Sequence, residues 1–375
     1  MSKIVLFPSD SIKGSDNKVY AGVGELLEKL NADGDVVVFL SHDAQKLQAL
    51  KEEYPFAYTI RRGNIKSLVE KAGSGYVVLV GSHDQDLYTA VQNKMLLINP
   101  LWSNVQEEKA VKYGIGINSP ENLYEAIKIF NNQKAWFYEL DIDDKTKLYS
   151  LTRANDKLWT QTQSEKEVVQ GFRAVLKHGN REYFEVLLYH FLASIINNEE
   201  FKEVDIWAIM PSSGTTLNED MMYFKERVRY LMNKRMNTPL FVRHTAAAKS
   251  HYMTRQEDRL YCRRHFDTIQ IDPYYRRKLK GKTVCILDDY VTNGTSFEAL
   301  RNLLMQQGVE KVIFVSLGRF FRANGIEYYK QNYEITGNVF DDNYNYQLVN
   351  EGDIKGKFNS QAVEDIKELY KIIYS

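Results

Sequence analysis

The chain has 375 residues, of which 44% are hydrophobic and 26% charged, which is enough to bury the cores of two or three domains. Lysine plus arginine and aspartate plus glutamate both number 49, so no net charge draws the chain to nucleic acid or to an anionic membrane. Any anion site must therefore be local. Two cysteines, Cys262 and Cys285, are too few for a disulfide framework or a structural zinc site, which fits a reducing compartment.

Targeting signals are not evident in the sequence. The apolar stretch before Pro8 is too short for a signal peptide, and no apolar run approaches the roughly 20 residues of a membrane span. We therefore expect a cytoplasmic protein that does not contact membranes.

Short apolar runs alternate with helical patterns in the first part of the chain. The runs have the continuous hydrophobicity of parallel strands that are covered on both faces. The predicted strands lie at 4–7, 36–40 and 76–80, and the helices between them at 22–31, 44–53 and 65–72. This order predicts an open parallel α/β sheet for residues 1–145, with polar residues at the carboxyl end of each strand, where such sheets bind ligands.

A second α/β unit is predicted at residues 146–325. Ser164 and Glu167 have the spacing of a capping box, which predicts one long helix from there through residue 197. The strands that follow lie at 206–210, 240–243, 283–287 and 311–316, and the helices at 218–235 and 296–307. Residues 326–375 form a C-terminal extension that ends in a helix at 361–374. Its stretch from 328 to 346 is either an interaction surface or a polar loop.

The most informative segment is TVCILDDYVTNGTS at residues 283–296. Asp288 and Asp289 end a buried strand, and a helix begins shortly afterwards. Between them lies the 292–296 loop, which consists of Thr292, Asn293, Gly294, Thr295 and Ser296. Backbone N–H groups at a helix N-terminus bind phosphate, glycine permits positive φ or close approach, and the carboxylates suit ribose hydroxyls or the water shell of Mg²⁺. The segment therefore predicts a sugar-phosphate site.

This segment resembles the signature of the type I phosphoribosyltransferases, which is an apolar strand, two acids, two apolar residues and a Thr/Ser-Gly-Thr/Ser loop. In that family the acids contact the ribose hydroxyls of 5-phosphoribosyl-1-pyrophosphate (PRPP), and the loop binds its 5′-phosphate. The resemblance implies that Asp288 and Asp289 are catalytic and hold Mg²⁺. Asn293 is a mild departure, because Thr, Ser or Gly is commoner there. Over about residues 205–319 the chain looks most like the ComF-like branch.

Flanking residues agree with this resemblance. Ser212, Ser213 and Gly214 follow a buried strand, at the position of the family's pyrophosphate-binding loop. Residues 225–282 contain sixteen Lys or Arg but five Asp or Glu, and among these Arg243 and Lys249 are the candidate pyrophosphate ligands. For most of the basic residues a solvated surface is the simpler interpretation, and nucleic acid is a rival partner.

The resemblance implies a Mg²⁺-dependent transferase that moves the phosphoribosyl group of PRPP to a nitrogen of a small-molecule acceptor, for instance a nucleobase. The resemblance also implies a possible homo-oligomer, because members of the family are commonly dimeric. The alternative is a non-catalytic PRPP- or nucleotide-binding protein of regulation or defence, with a protein or nucleic acid as its partner.

Residues 1–145 resemble, more weakly, the haloacid-dehalogenase-type (HAD) fold. Pro8 stands where that family has its nucleophilic Asp, and Asp10 stands where it has a second acid. The remaining motif positions are filled by Ser41, Lys66 and Asp86. Because proline cannot attack phosphorus, we expect a HAD-like domain without phosphatase activity. A flavodoxin-like domain is the alternative.

Overall fold

A computed structural model describes residues 2–132, 136–155, 162–178, 182–214, 218–247, 260–321 and 325–374. These residues form a mixed α/β protein with two six-stranded sheets and two small two-stranded sheets. The first large sheet is wholly parallel and the second is mixed. The predicted α/β class is therefore confirmed.

The first sheet is built by β1 (Ile4–Pro8), β2 (Val36–Ser41), β3 (Tyr58–Arg61), β4 (Val77–Val80), β5 (Leu96–Pro100) and β6 (Ile115–Ile117). Its strand order is β3-β2-β1-β4-β5-β6, and all neighbouring strands are parallel. This is a doubly wound order, in which the direction of strand addition reverses between β1 and β4. A flavodoxin-like sheet has the order 2-1-3-4-5, so that alternative does not apply.

The helices of this half are α1 (Ser9–Ile12), α2 (Val23–Ala32), α3 (Ala44–Glu53), α4 (Ile65–Ala72), α5 (Asp84–Gln92), α6 (Glu108–Tyr113) and α7 (Pro120–Asn132). Those predicted at 44–53 and 65–72 match α3 and α4 to the residue. Their ends are strongly marked, because the Asp43 side chain accepts hydrogen bonds from the first turn of α3 and Gly73 ends α4 with φ +86°.

The second half contains β7 (Tyr138–Asp143), β8 (Thr146–Arg153), β9 (Ile206–Ile209), β10 (Phe241–Arg243), β11 (Ile269–Ile271), β12 (Thr283–Val291), β13 (Lys311–Arg319), β14 (Tyr328–Gly337), β15 (Tyr344–Ile354) and β16 (Lys357–Phe358). The second large sheet has the order β16-β7-β8-β13-β12-β9, and its four strands from β8 to β9 are parallel. Strand β12 is therefore internal, and its residues 284–286 are fully buried. Strands β10 and β11 form one antiparallel pair, and β14 and β15 form another.

The helices of this half are α8 (Gln163–His178), α9 (Glu182–Asn197), α10 (Glu219–Leu231), α11 (Arg263–Phe266), α12 (Thr295–Gln306) and α13 (Gln361–Tyr374). The prediction of one long helix up to residue 197 is wrong, since α8 and α9 are separate. The capping box also differs. Thr162 N–H donates to Glu165 Oε2 (2.9 Å) and Glu165 N–H donates to Thr162 Oγ1 (3.1 Å). The same spacing occurs at Ser164 and Glu167, but Glu165 is the buried carboxylate and also pairs with Arg153.

Residues after 325 are integral to the fold. The stretch for which a polar loop or an interaction surface was expected is not a loop: it forms most of the hairpin of β14 and β15, whereas its role as an interaction surface stays a prediction. Strand β16 joins the second sheet next to β7, which itself lies before the predicted boundary at residue 145. Helix α13 has the predicted bounds and packs against α7, α8 and α9.

Helix α9 joins the two halves, because it packs against β5 of the first sheet and β8 of the second. Hydrogen bonds across this junction include Gly116 N–H to Tyr189 Oη (3.3 Å) and Lys3 Nζ to Asn197 Oδ1 (3.1 Å). One continuous hydrophobic cluster includes strands of both sheets. The two large sheets thus share a common hydrophobic core.

Candidate functional site

A pocket of about 140 Å³ lies at the carboxyl end of β12. It is lined by all five residues of the 292–296 loop, by the end of β12, by the start of α12 and by one cation from α11. The lining residues are Arg264, Asp288, Tyr290, Val291, Thr292, Asn293, Gly294, Thr295, Ser296 and Phe297. The structure therefore brings Asp288 and the 292–296 loop, both singled out from sequence, to one small polar cavity.

Gly294 is the residue on which the loop conformation depends. It precedes the first residue of α12 and has φ +79°, a conformation that L-residues with a side chain rarely adopt. A Cβ atom at this position would also overlap the ring of Tyr328. The close approach expected at this glycine is thus an approach to an aromatic ring of the C-terminal extension.

Two side chains of the loop are buried and bind within the protein. Thr295 Oγ1 donates to Asn293 Oδ1 (2.8 Å), and the Asn293 carbonyl accepts from Tyr329 N–H (3.0 Å). The two partly exposed hydroxyl side chains are Thr292 and Ser296. The N–H groups of the first turn of α12 have no acceptors within the helix, as at every helix start, and the residues 295–297 that carry three of them line the pocket.

Arg319, at the end of β13, stabilises the 292–296 loop by hydrogen bonds to main-chain carbonyls in and beside it. Its guanidinium donates to the carbonyls of Val291 (3.3 Å), Phe320 (2.6 Å) and Glu327 (2.5 Å), and also to that of Thr292. The residue is 1% exposed, and burial lowers its pKa. Sequence reasoning missed Arg319. No local sequence pattern marks it, because Arg319 and Val291 become neighbours only when β12 and β13 pair.

Asp288 and Asp289 lie within β12, whose strand continues to Val291 instead of ending before the acids. Both are half-buried, and Asp288 lines the pocket. Burial raises the pKa of Asp288 well above the ordinary aspartate value, and the neighbouring Asp289 raises it further. Burial also raises the pKa of Asp289. Two adjacent acidic groups are thus held at the end of β12, and of these Asp288 lines the pocket whereas Asp289 is not among its lining residues.

Among the residues that the structure describes, no group of three or more His, Cys, Asp or Glu side chains has the arrangement of a metal site. Two adjacent carboxylates alone suit Mg²⁺ that keeps most of its water and binds a phosphorylated ligand, rather than an ion in a protein cage.

Arg264 on α11 contributes a positive charge to the pocket. Its Nε donates to His265 Nε2 (3.3 Å), and His265 Nε2 lies 3.5 Å from Ser296 Oγ. Burial lowers the pKa of His265 well below its usual value, and the charges of Arg264 and Arg243 lower it further, so this imidazole is neutral. Sequence reasoning missed Arg264, because the high density of basic residues around it does not indicate which one faces a ligand.

The 212–214 loop follows β9 and is tied down by Arg243 of β10. Arg243 Nε donates to the Ser212 carbonyl (2.5 Å) and Nη2 to that of Pro211 (3.3 Å), while Nη1 donates to Thr268 Oγ1 (2.5 Å). Arg243 was expected to contact pyrophosphate, yet its buried donors satisfy loop carbonyls. The main chain of Ser213 accepts from Ala247 N–H (2.9 Å), whereas Lys249 lies outside the described residues.

The carboxyl edge of the first sheet carries a second set of predicted residues. Asp10 lies in α1, directly after β1, and Ser41 ends β2, where its Oγ accepts from Asp43 N–H (3.1 Å). Asp86 is fully buried in α5 and accepts from Arg62 Nη2 (2.5 Å) and His83 N–H (3.1 Å). These three positions therefore lie at the same edge of the sheet.

Lys66 does not join them. Its side chain is 80% exposed and lies 3.8 Å from Glu70, one turn further along α4. The cation beside Asp86 is Arg62, which precedes α4 and which sequence reasoning missed. A residue just before the helix lies closer to the sheet edge than one on the outer face of the helix.

Sequence reasoning also missed His83, whose ring lies between Asp10 and Glu107 at this edge of the sheet. Its Nε2 lies 3.2 Å from Asp10 Oδ2 and its Nδ1 lies 2.8 Å from Glu107 Oε1. Burial lowers the pKa of His83, but the hydrogen bond to Glu107 and the surrounding carboxylates outweigh it, so the pKa is raised. Both ring nitrogens are therefore occupied by carboxylates, and the neighbouring Pro8 offers no nucleophile.

No protein-family model matches the sequence, and the search of curated proteins also finds no match. Within the described ranges, no helix is both long and apolar enough to cross a membrane.

Replacing Gly294 tests the loop conformation. We expect Gly294→Ala to lower the free energy of unfolding by about 3 kcal/mol, because left-handed strain and the overlap with Tyr328 add together. Gly308→Ala is the matched control, since Gly308 follows the same helix with φ +70° but its nearest neighbour, Lys280 Cγ, would be at an ordinary 3.5 Å. This control should lose about 1 kcal/mol. Urea denaturation measures both, and equal losses would contradict the account.

The raised pKa of Asp288 predicts a pH-dependent stability. The carboxyl is protonated more readily in the folded than in the unfolded protein, so its contribution is present below the ordinary aspartate pKa of about 3.9 and is lost as the pH rises through the folded value. We therefore expect Asp288→Asn to raise the melting temperature of the ligand-free protein at pH 8, with a gain that shrinks towards pH 4. Thermal denaturation with EDTA present measures this, and destabilisation at pH 8 is the contrary result.

Proposed function

We propose that the chain is a Mg²⁺-dependent phosphoribosyltransferase that uses PRPP and releases pyrophosphate. The observation that carries this proposal is the single pocket that Asp288 and the 292–296 loop line together. A phosphate monoester at the start of α12 gains backbone hydrogen bonds and the favourable end of the helix dipole. A ribose attached to that phosphate would present its hydroxyls to a carboxylate on the same pocket wall.

The resemblance to the type I phosphoribosyltransferase signature supports the same interpretation. The acidic pair, the two apolar residues and the small polar loop occur in the family's order, and in the structure they span the end of an internal parallel strand and the start of the next helix. We infer that the second half of the chain has this fold and that residues 1–145 are a HAD-like domain.

The reaction proposed is a substitution at C1 of the ribose. A lone pair on the acceptor nitrogen forms the new bond as the bond from C1 to the pyrophosphate oxygen breaks. Pyrophosphate leaves with that electron pair, and the acceptor N–H proton passes to solvent. Bound Mg²⁺, held by Asp288 and Asp289, would supply positive charge for the leaving pyrophosphate.

The protein's own contribution is mostly positioning. The 292–296 loop fixes the phosphate end of the sugar, and Arg264 adds charge beside it. Asp288 accepts hydrogen bonds from the ribose hydroxyls, and the 212–214 loop, held in shape by Arg243, faces the pyrophosphate. Electrostatic groups that are fixed before the ligand arrives are the most effective in this kind of reaction.

The first half of the chain is proposed to have no phosphatase activity. Pro8 ends β1 where a nucleophile would be needed, and the charged groups nearby are paired with one another, as Asp86 is with Arg62 and Asp10 with His83. A nucleophilic carboxylate has to be available to attack phosphorus.

The second candidate function is that of a sensor, which binds PRPP or a nucleotide but does not transfer the sugar. Arg243 favours it, because this candidate pyrophosphate ligand uses its donors on the carbonyls of Ser212 and Pro211. A protein that binds PRPP but lacks a strong grip on the leaving group would serve as a sensor.

Calorimetric titration with PRPP and Mg²⁺, followed by pyrophosphate release assays with a set of nucleobases, tests the proposal. We expect Asp288→Asn to lower turnover by about 100-fold or more, because it removes a fixed charge from the reacting centre. Asp10→Asn makes the same chemical change at the edge of the first sheet and should leave binding and turnover unchanged.

Three other results have a clear meaning. Failure of the unaltered protein to bind PRPP contradicts both functions. Tight binding without pyrophosphate release from any base favours the sensor. Loss of activity in Asp10→Asn, but not in Asp288→Asn, would assign the chemistry to the first sheet.

A further inference from the structure

Strand β14 of the C-terminal hairpin packs against the 292–296 loop and helix α12, which line the pocket. Tyr328 is fully buried, with its ring beside Gly294 and its hydroxyl donating to Glu298 Oε1 (2.7 Å). The next residue, Tyr329, donates its N–H to the Asn293 carbonyl (3.0 Å). The extension thus contacts the 292–296 loop through both a side chain and the main chain.

Glu298, on the first turn of α12, anchors β14 to that helix. It is fully buried and accepts from Arg301 Nη2 (2.6 Å), Arg301 Nε (3.0 Å) and Gln331 N–H (2.7 Å), in addition to the Tyr328 hydroxyl. A buried carboxylate with this many donors, one of them a guanidinium, is fully compensated. Strand β14 is therefore fixed relative to the helix that opens at the pocket.

Gln331, three residues after Tyr328 on β14, is also fully buried. Its Oε1 accepts from Cys262 N–H (3.2 Å), and its Nε2 donates to the Leu260 carbonyl (2.8 Å). The oxygen of the same carbonyl lies 3.4 Å from Thr295 Oγ1 of the 292–296 loop. The Gln331 side chain is therefore hydrogen-bonded to the main chain of residues 260–262, which immediately precede α11, the helix that carries Arg264.

We propose that Gln331 is a positioning residue for the ligand site: by holding the main chain of residues 260–262, it orients Arg264 towards the 292–296 loop. The two hydrogen bonds fix one end of a four-residue helix whose second residue lines the pocket. Without them, the segment that carries Arg264 loses two of the contacts that hold it beside the helix start, and a phosphate group there would have a less well placed charge-assisted partner. This inference rests on the proposed function, because it assumes that the pocket binds a phosphorylated ligand.

The test is a double-mutant cycle with two probes, inorganic phosphate and PRPP with Mg²⁺, each titrated by calorimetry. Gln331→Met keeps the length of the side chain but removes both hydrogen bonds to residues 260–262, together with those to Tyr333 Oη (3.3 Å) and the Tyr329 carbonyl (3.5 Å), and we expect it to weaken binding of both probes roughly tenfold. Gln347→Met is the matched control, since Gln347 lies exposed on β15 of the same hairpin, and it should leave both affinities unchanged.

The decisive measurement is the same substitution in an Arg264→Met background. If Gln331 acts through Arg264, Gln331→Met should weaken binding no further there, since the group that it orients has been removed. A merely structural role would lower affinity by the same factor in both backgrounds. That result, or an unchanged affinity in the single Gln331→Met variant, would overturn the inference.

Two further arms keep the outcome interpretable. If Gln331→Met does not fold, Gln331→Asn displaces the amide by one methylene and takes its place in the cycle with the same expectations. If the unaltered protein binds phosphate but not PRPP, the proposed function is wrong, and the phosphate cycle alone decides the inference. If it binds neither probe, both are wrong.

Discussion

The turn between β12 and α12 brings backbone carbonyl groups into the interior, where each needs a hydrogen-bond donor. Arg319 supplies donors for Val291 and Thr292, and Tyr329 N–H supplies one for Asn293. With these carbonyls satisfied from the protein side, the loop and the first residues of α12 line the pocket. The shape of the site thus depends on donors that come from β13 and from the C-terminal extension.

Both large sheets carry charged groups at their carboxyl edges, but the two sets of groups differ in whether opposite charges are paired. In the first sheet the charges pair with one another, as Asp86 does with Arg62 and His83 with Asp10 and Glu107. In the second sheet two carboxylates are adjacent in β12, one of them, Asp288, lines the pocket, and burial raises the pKa of both. Such an arrangement is unfavourable for the fold alone, and groups of this kind cluster at functional sites.

Local sequence patterns predicted much of the framework. Helices α3, α4 and α13 have the predicted bounds, because an N-cap, a C-terminal glycine or a regular apolar spacing marks their ends or faces. The 292–296 loop could be found because its glycine and hydroxyl residues follow an apolar strand with two acids. The capping box was misplaced by two residues, since the same spacing occurs twice and burial of Glu165 decides between the two.

Long-range contacts could not be predicted in this way. Gln331 and Cys262 are 69 positions apart, and no local pattern relates them. The same holds for Arg319 under the loop and for Arg62 beside Asp86, where one of many basic residues is selected by the packing of strands. The hairpin of β14 and β15 was missed because its many tyrosine, asparagine and aspartate residues give a weak alternation of apolar and polar positions.

A crystal structure of the protein with PRPP and Mg²⁺ would test the central claim most directly. The account predicts the 5′-phosphate on the N–H groups of the 292–296 loop, with the ribose hydroxyls within hydrogen-bond distance of Asp288. A phosphate bound at the edge of the first sheet instead, or an Asp288 carboxylate directed away from the sugar, would contradict it.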